Sequence, residues 1–347
     1  MQSLYKRHCL TISNFTISEI EKIIKFSQYL KNHKALKKEK KYLKNNNIAF
    51  IFEKASTRTK CAATVACFDQ GASITYIDPD RTHFKYKESI KDTTLFLSKI
   101  YDGILYRGGT QKDLNIIAKN SSVPVWNALT DESHPTQIFA DILTMQEHSN
   151  NTPWNQIRCV YIGDINNNIC TSLIEASNII GFNLILIAPK KLWKKYNTNK
   201  NNQQILEKCI NRKITYTDNI EIGIKNADFI YTDVWVSINE PEKLWDKRIN
   251  LLKNYQVNKK LLDMSNNNSV KIMHCLPAFH DNKTYIGNKI MQQHNLNNGI
   301  EITDDVFFSK HSIIFEQAEN KLHTLKALIT SSLKKIKFIK NNLFILE

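Results

Sequence analysis

No stretch of this 347-residue sequence approaches the ~20 consecutive apolar residues that a membrane-spanning helix requires. The N-terminal MQSLYKRHCLTISNF also lacks the continuous apolar segment of a secretory signal, so a cytoplasmic protein without membrane association is expected. The seven cysteines, Cys9, Cys61, Cys67, Cys159, Cys170, Cys209 and Cys275, contain no CxxC pair and no metal-ligand spacing. Their odd number argues for reduced thiols and against a disulfide framework. The formal charge of +15 comes from basic residues spread along the chain and interleaved with acidic ones, with no nucleic-acid-binding motif among them, so nucleic acid is not an expected partner. Runs such as KALKKEKKYLKNNN fit the heavy Lys, Asn and Ile usage of an AT-rich genome. The excess positive charge still favours anionic substrates. No short-period repeat is present.

The 42% hydrophobic content is enough for a full core, and at about 100 to 200 residues per domain the length implies two domains. Ser18 followed by Glu21 reads as a capping box, with Ile20, Ile23, Ile24, Ser27 and Leu30 on one helical face. The run 48–52 then reads as a strand, 57–70 as a small-residue helix closed by Gly71, and ASITYI as a second strand: a βαβ unit. A helix over 88–100, the strands GILYRG and VPVWNAL, and the helix HPTQIFADILTMQEH continue the alternation. The polar SNNTPWNQ places a boundary near residue 150. Beyond it RCVYIGD, FNLILIAP, NADFIYTDVW and VKIMHCLP read as strands and SLIEASNII as a helix. The Asn/Lys-rich stretch 194–204 reads as a surface insertion or loop. The expected fold is α/β, with two domains that each carry a parallel sheet flanked by helices.

Ser56, Thr57, Arg58 and Thr59 fall at a strand-to-helix junction. A helix N-terminus offers unpaired N–H groups and partial positive charge, and Arg58 adds a planar fork suited to phosphate oxygens. The stretch reads as a phosphate cradle or as an ordinary capped helix with solvated charges. It is not a Walker loop, since the GxxxxGK[ST] glycines are missing. Three further pieces favour the cradle. Arg107 in YRGG stands at a strand end, His134 and Gln137 in HPTQ open a helix, and Cys275 in HCLP ends a strand of the second half.

STRTK, DGILYRG, HPTQIFADILTMQEH, YIGDINNN, ADFIYTDVWVS, HCLPAFHD and FEQAENKLHTLKA, spread over residues 56–327, resemble the aspartate/ornithine transcarbamoylase family in its ornithine branch. The resemblance implies a carbamoyl-phosphate-binding domain over 1–150 and an ornithine-binding domain over 151–347. A C-terminal helix, about 316–336, would pack back on the first domain, in a homotrimer with shared active sites. It implies transfer of the carbamoyl group of carbamoyl phosphate to the δ-amine of L-ornithine, as in arginine biosynthesis, with no metal or organic cofactor. Ser56, Thr57, Arg58, Thr59, His83, Arg107, His134, Gln137 and Lys321 match the family's carbamoyl-phosphate contacts. Asn168, Asp233, Ser237, Ile238, Cys275 and Leu276 match its ornithine contacts. Arg58, Arg107, His134, Asp233 and Cys275 carry the implied catalysis, with Cys275 as an orienting group or proton partner and not as a covalent nucleophile.

The chain departs from the family pattern at four places. Lys321 replaces the Arg of AENR, which keeps the charge and loses the bidentate fork. In the loop where the family carries SQxGHKE, THFKYKE puts His83 in place of Gln and Lys85 in place of Gly. Asn239 stands where the ornithine-binding loop carries Gly. The competing readings are a transcarbamoylase for another amine, such as aspartate, putrescine or an acylated ornithine, and a non-catalytic descendant retained as a binding subunit.

Overall fold

Hydrophobic runs of four to six residues, each bounded by a helix or a turn, build two wholly parallel sheets. The computed structural model describes residues 4–79, 82–207, 213–236, 242–296, 298–338 and 344–346. The chain divides into two units, Met1–Leu143 with Glu319–Glu347, and Thr144–Ala318.

The first unit contains α1 (Ile17–Ala35), β1 (Asn47–Phe52), α2 (Arg58–Gln70), β2 (Ser73–Ile77), α3 (Ile90–Ile100), β3 (Gly103–Arg107), α4 (Gln111–Asn120) and β4 (Val125–Leu129). α5 (Pro135–His148) begins in it. The strand order is β2-β1-β3-β4, with Phe52 opposite Arg107. Ala49, Ile51, Ile104, Tyr106, Leu114, Ile117 and Val125 fill the core beside the sheet. Gly71 closes α2 at φ 85°, a left-handed conformation that glycine adopts without a Cβ clash.

The expected capping box at Ser18 and Glu21 is corrected. The helix starts one residue pair earlier, with Thr16 extended and its hydroxyl accepting from Glu19 N, while the Glu19 carboxylate accepts from Thr16 N at 2.9 Å. The buried face is the expected one, with Ile20, Ile23, Ile24, Ser27 and Leu30 all inside.

The second unit contains β5 (Arg158–Ile162), α6 (Asn168–Ile180), β6 (Asn183–Ile187), α7 (Lys190–Thr198), α8 (Lys200–Glu207), β7 (Ile214–Thr217), α9 (Ile220–Ile224), β8 (Phe229–Thr232), α10 (Glu242–Leu252), α11 (Lys259–Met264), β9 (Lys271–His274), α12 (Tyr285–His294) and α13 (Asp304–Phe307). The order is β7-β6-β5-β8-β9. The stretch read as a loop over 194–204 lies instead in α7 and α8. Leu192 and Tyr196 are buried, and Trp193 stacks on Tyr216 with ring centroids 4.3 Å apart. Three apolar residues at helical spacing thus pin a segment whose Lys and Asn content masked its helical pattern.

α14 (Ile314–Leu333) follows; from Glu319 onward it belongs to the first unit and packs there. Its Lys326 is fully buried, with Nζ 2.8 and 2.9 Å from the two Glu39 oxygens and 2.5 Å from Asp69 Oδ2. Lys31 Nζ donates to Asn320 Oδ1 at 2.8 Å. A short antiparallel pair, β10 (Ile336–Phe338) and β11 (Phe344–Leu346), completes the described chain.

Removing the cation from this cluster would leave two carboxylates without their shared partner. Lys326→Met is expected to destabilise the protein by roughly 3 kcal/mol, read as a lower urea midpoint, and an unchanged midpoint would rule out Lys326 as the anchor of α14.

Candidate active site

In an open parallel sheet the loops that leave the C-terminal strand ends share one edge, and ligand sites gather where the strand order reverses direction. In the first unit the order reverses between β1 and β3. The β1–α2 loop carries Ser56 and Thr57, and α2 opens with Arg58 and Thr59. Arg107 ends β3, and the turn after β4 leads to His134 and α5. Thr59 is buried and Arg58 is exposed. Thr57 sits at the N-cap of α2 with no side-chain cap hydrogen bond.

His134, Gln137 and Lys321 form one buried group. Lys321 Nζ donates to Gln137 Oε1 at 3.0 Å and lies 3.2 Å from His134 Nε2. The Gln137 amide nitrogen donates to Asp141 Oδ1 at 2.8 Å. On the other side of the imidazole, Nδ1 lies 3.3 Å from the Thr136 hydroxyl, which itself donates to the Asn127 carbonyl. The network therefore assigns the proton to Nδ1 and leaves the Nε2 lone pair for the Lys321 ammonium. Burial, with Lys321 and Arg107 adding to it, holds the His134 pKa well below the usual imidazole value, so the ring is neutral at physiological pH.

The second unit repeats the arrangement, with its reversal between β5 and β8. Asn168 is the first residue of α6 after β5, Asp233 follows β8 directly, and Cys275 and Leu276 follow β9. The Cys275 thiol donates to Asp233 Oδ1 at 3.0 Å, and Val234 N donates to the same oxygen at 2.8 Å. Desolvation by the surrounding protein raises the Asp233 pKa, and these two hydrogen bonds offset only part of that. Leu276 adopts φ 57°, uncommon for a residue with a Cβ, and its N–H donates to His274 Nδ1 at 2.9 Å. Ser237, Ile238 and Asn239 lie outside the described residues.

His83 lies in a turn whose carbonyl accepts from Tyr86, Lys87 and Glu88 N, and among the described residues no hydrogen bond joins its side chain to the group around His134. Lys85 adopts φ 61° and bonds Glu53 at 2.7 and 2.8 Å and Asp113 at 2.8 Å. Sequence reasoning missed Asp141 and Asn167. Asn167 caps α6, and its amide lies 3.5 Å from Asp233 Oδ2. Its signal was an Asn immediately before a helix, one position from the residue that was singled out. Two clusters among the described residues bring three potential metal-donor atoms within 4.8 Å of one another: Asp233, His274 and Cys275, and His280, Asp281 and Asp304. Internal hydrogen bonds from Cys275 to Asp233 and between His280 and Asp304 already engage each cluster.

Residues 7–147 match the family description "Aspartate/ornithine carbamoyltransferase, carbamoyl-P binding domain", and residues 155–332 match "Aspartate/ornithine carbamoyltransferase, Asp/Orn binding domain". The chain belongs to the aspartate/ornithine carbamoyltransferase family. Among its relatives, the ornithine carbamoyltransferase of Buchnera aphidicola subsp. Schizaphis graminum (strain Sg) is 52% identical over 335 residues, covering 96% of this chain and 99% of that protein. That of Blochmanniella floridana is 47% identical over 352 residues, covering 99% of each. The solved ornithine carbamoyltransferase from Pyrococcus furiosus superposes with a TM-score of 0.83 at 29% identity, covering 96% of this chain and 99% of that one. The anabolic enzyme from Campylobacter jejuni gives 0.79 at 28% identity, covering 93% and 97%. The family assignment thus spans both sheets and both groups of side chains.

Protonation of Asp233 favours the folded state, because its folded pKa lies above the unfolded value of 3.8. That contribution is complete below 3.8 and is lost as pH rises through the raised folded value. Asp233→Asn removes the ionisable group, so the variant is expected to melt above the parent at neutral pH, with the gap closing as pH falls toward about 4. Thermal melts from acid to neutral pH check this, and equal melting temperatures at neutral pH would contradict the raised pKa.

Proposed function

We propose that the protein transfers the carbamoyl group of carbamoyl phosphate to the δ-amine of L-ornithine, giving L-citrulline and phosphate. The observation that carries this reading is the buried Lys321–His134–Gln137 group at the strand edge that also carries Arg107 and the Ser56–Thr59 cradle. Names of relatives at about half identity over nearly full length support it.

Carbamoyl phosphate is a small dianion whose acyl carbon is already activated, so the protein has to position it and stabilise charge, with no covalent nucleophile required. Ser56, Thr57, Arg58, Thr59 and Arg107 take the phosphate in this reading. His134, as a neutral imidazole, and Gln137 hold the carbamoyl end. Lys321 supplies a point charge where the family pattern has the arginine fork. His83 contributes from a neighbouring subunit.

Ornithine is held by Asn168, Asp233, Ser237, Ile238, Cys275 and Leu276. Asp233 takes the δ-ammonium, and Cys275, hydrogen-bonded to it, fixes the carboxylate orientation. Once the ammonium has lost a proton, the nitrogen lone pair attacks the carbamoyl carbon. The first proton goes to solvent; the C–N bond then forms, the C–O bond to phosphate breaks, phosphate leaves with the electron pair, and the second proton of the attacking nitrogen passes to the departing phosphate. Arg58, Arg107 and Lys321 offset the charge that develops on the carbonyl oxygen and the leaving group.

The carbamoyl-phosphate role belongs to the first unit and the ornithine role to the second. A homotrimer fits the large apolar side chains that the first unit leaves exposed, Val65, Phe68, Leu95, Phe96 and Ile100. A cytoplasmic setting in arginine formation fits the six described cysteines, none of which is in a disulfide.

Purified protein supplied with carbamoyl phosphate is expected to form product with L-ornithine and not with L-aspartate or putrescine. A preference for another acceptor would overturn the ornithine assignment, and no turnover by folded protein would favour a non-catalytic descendant. Arg58→Ala is expected to lower kcat/KM for carbamoyl phosphate by at least ~2 kcal/mol of transition-state stabilisation. Unchanged turnover would remove Arg58 from the site.

A further inference from the structure

Asp141 is fully buried on α5, one helical turn after Gln137. A carboxylate offers acceptors only, so the side of the Gln137 amide that faces it at 2.8 Å has to be the NH2 group. The carbonyl oxygen Oε1 then points the other way, where it accepts from the Lys321 ammonium at 3.0 Å. The amide is clamped between an anion on α5 and a cation on α14, all three side chains belonging to residues 5% exposed or less. Both charges impose the same orientation, and the carboxylate polarises the amide so that Oε1 becomes a stronger acceptor. Lys321 shows the kind of group this oxygen takes, an N–H donor.

We infer that Asp141 is a specificity-determining positioning residue, which locks Gln137 with its carbonyl oxygen presented to the substrate and so selects an acyl phosphate bearing an NH2 group over one bearing a methyl. The inference rests on the carbamoyl-phosphate reading above. Carbamoyl phosphate and acetyl phosphate share shape, charge and phosphate and differ in that one group. A site that hydrogen-bonds a substrate N–H discriminates against the analogue lacking it far more strongly than an apolar pocket can.

In Asp141→Asn the side chain keeps its shape but can offer either an oxygen or an NH2 group to Gln137. Either orientation of the Gln137 amide then satisfies the 137–141 pair, the charge-assisted polarisation is gone, and only the Lys321 ammonium still favours Oε1 on its side. A second variant, Gln137→Glu with Asp141→Asn, exchanges the two groups at constant net charge. There the amide NH2 introduced at position 141 donates to one oxygen of the carboxylate introduced at position 137, and the other oxygen is again an acceptor facing the site.

The experiment measures KM for carbamoyl phosphate and the competitive inhibition constants of acetyl phosphate and inorganic phosphate, for the parent and both variants, with melting curves for each. In D141N, KM for carbamoyl phosphate is expected to rise about tenfold, while the constants for acetyl phosphate and phosphate stay within about twofold. The exchanged pair is expected to recover most of the selectivity. If all three constants rise together in D141N, Asp141 serves packing alone and the inference fails. It also fails if the ratio of carbamoyl to acetyl phosphate is unchanged. Should D141N not fold, the exchanged pair decides, with parental selectivity supporting the lock and lost selectivity overturning it. A parent protein that does not turn over carbamoyl phosphate would instead bring down the functional reading itself, a result distinguishable from both failures.

Discussion

Parallel strands deliver their C-terminal ends to one edge of a sheet, and every group singled out in each unit depends on that constraint. Hydrogen bonding between β1 and β3 sets Phe52 beside Arg107, so the loop bearing Ser56 to Thr59 and the guanidinium of Arg107 leave the same edge. Pairing of β5 with β8, and of β8 with β9, does the same for Asn168, Asp233 and Cys275. Neither group is assembled by a dedicated motif. Each follows from strand order, with Lys321 added to the first group from α14.

Burial then decides the protonation and orientation of what the edges present. His134 stays neutral because an imidazolium would be desolvated beside Lys321 and Arg107. Asp233 resists ionisation because its hydrogen bonds from Cys275 and Val234 do not replace the solvation it loses. An ionised Asp233 therefore costs the folded state some stability at neutral pH. Lys326 is the contrasting case, a cation matched by two carboxylates, which serves to hold α14 in register.

Every strand of the two parallel sheets except β7, and the helices α1, α2, α3, α5 and α6, were legible because short apolar runs and helical periodicity flanked by turn residues have few other solutions. The polar residues just after those runs, STRT, YRGG, HPTQ and HCLP, were legible through their conjunction, since a single Cys, His or Arg at such a place is more often structural. Other features were hidden for particular reasons. Thr16–Glu19 and Ser18–Glu21 both fit the capping pattern, and only the backbone angles at Thr16 distinguish them. Asp141 reads as one more polar residue on an amphipathic helix until its partner Gln137 is seen. In α7 the Lys and Asn residues drown three apolar positions, and Tyr216, on which Trp193 stacks, lies in a strand that sequence reasoning did not identify.

The division of the chain has a further consequence in time. The unit Thr144–Ala318 is continuous in sequence, whereas the other is assembled from the first 143 residues and a segment that begins at Glu319. During synthesis the middle of the chain can therefore reach its final packing before the beginning does. Ribosome-bound intermediates hold the early sheet without its last helix, and Lys321 and Lys326 are among the final parts to arrive. A nascent chain stopped just short of Glu319 would carry every strand of both parallel sheets, yet would lack the two buried ammonium groups that engage Gln137 on one side and Glu39 with Asp69 on the other.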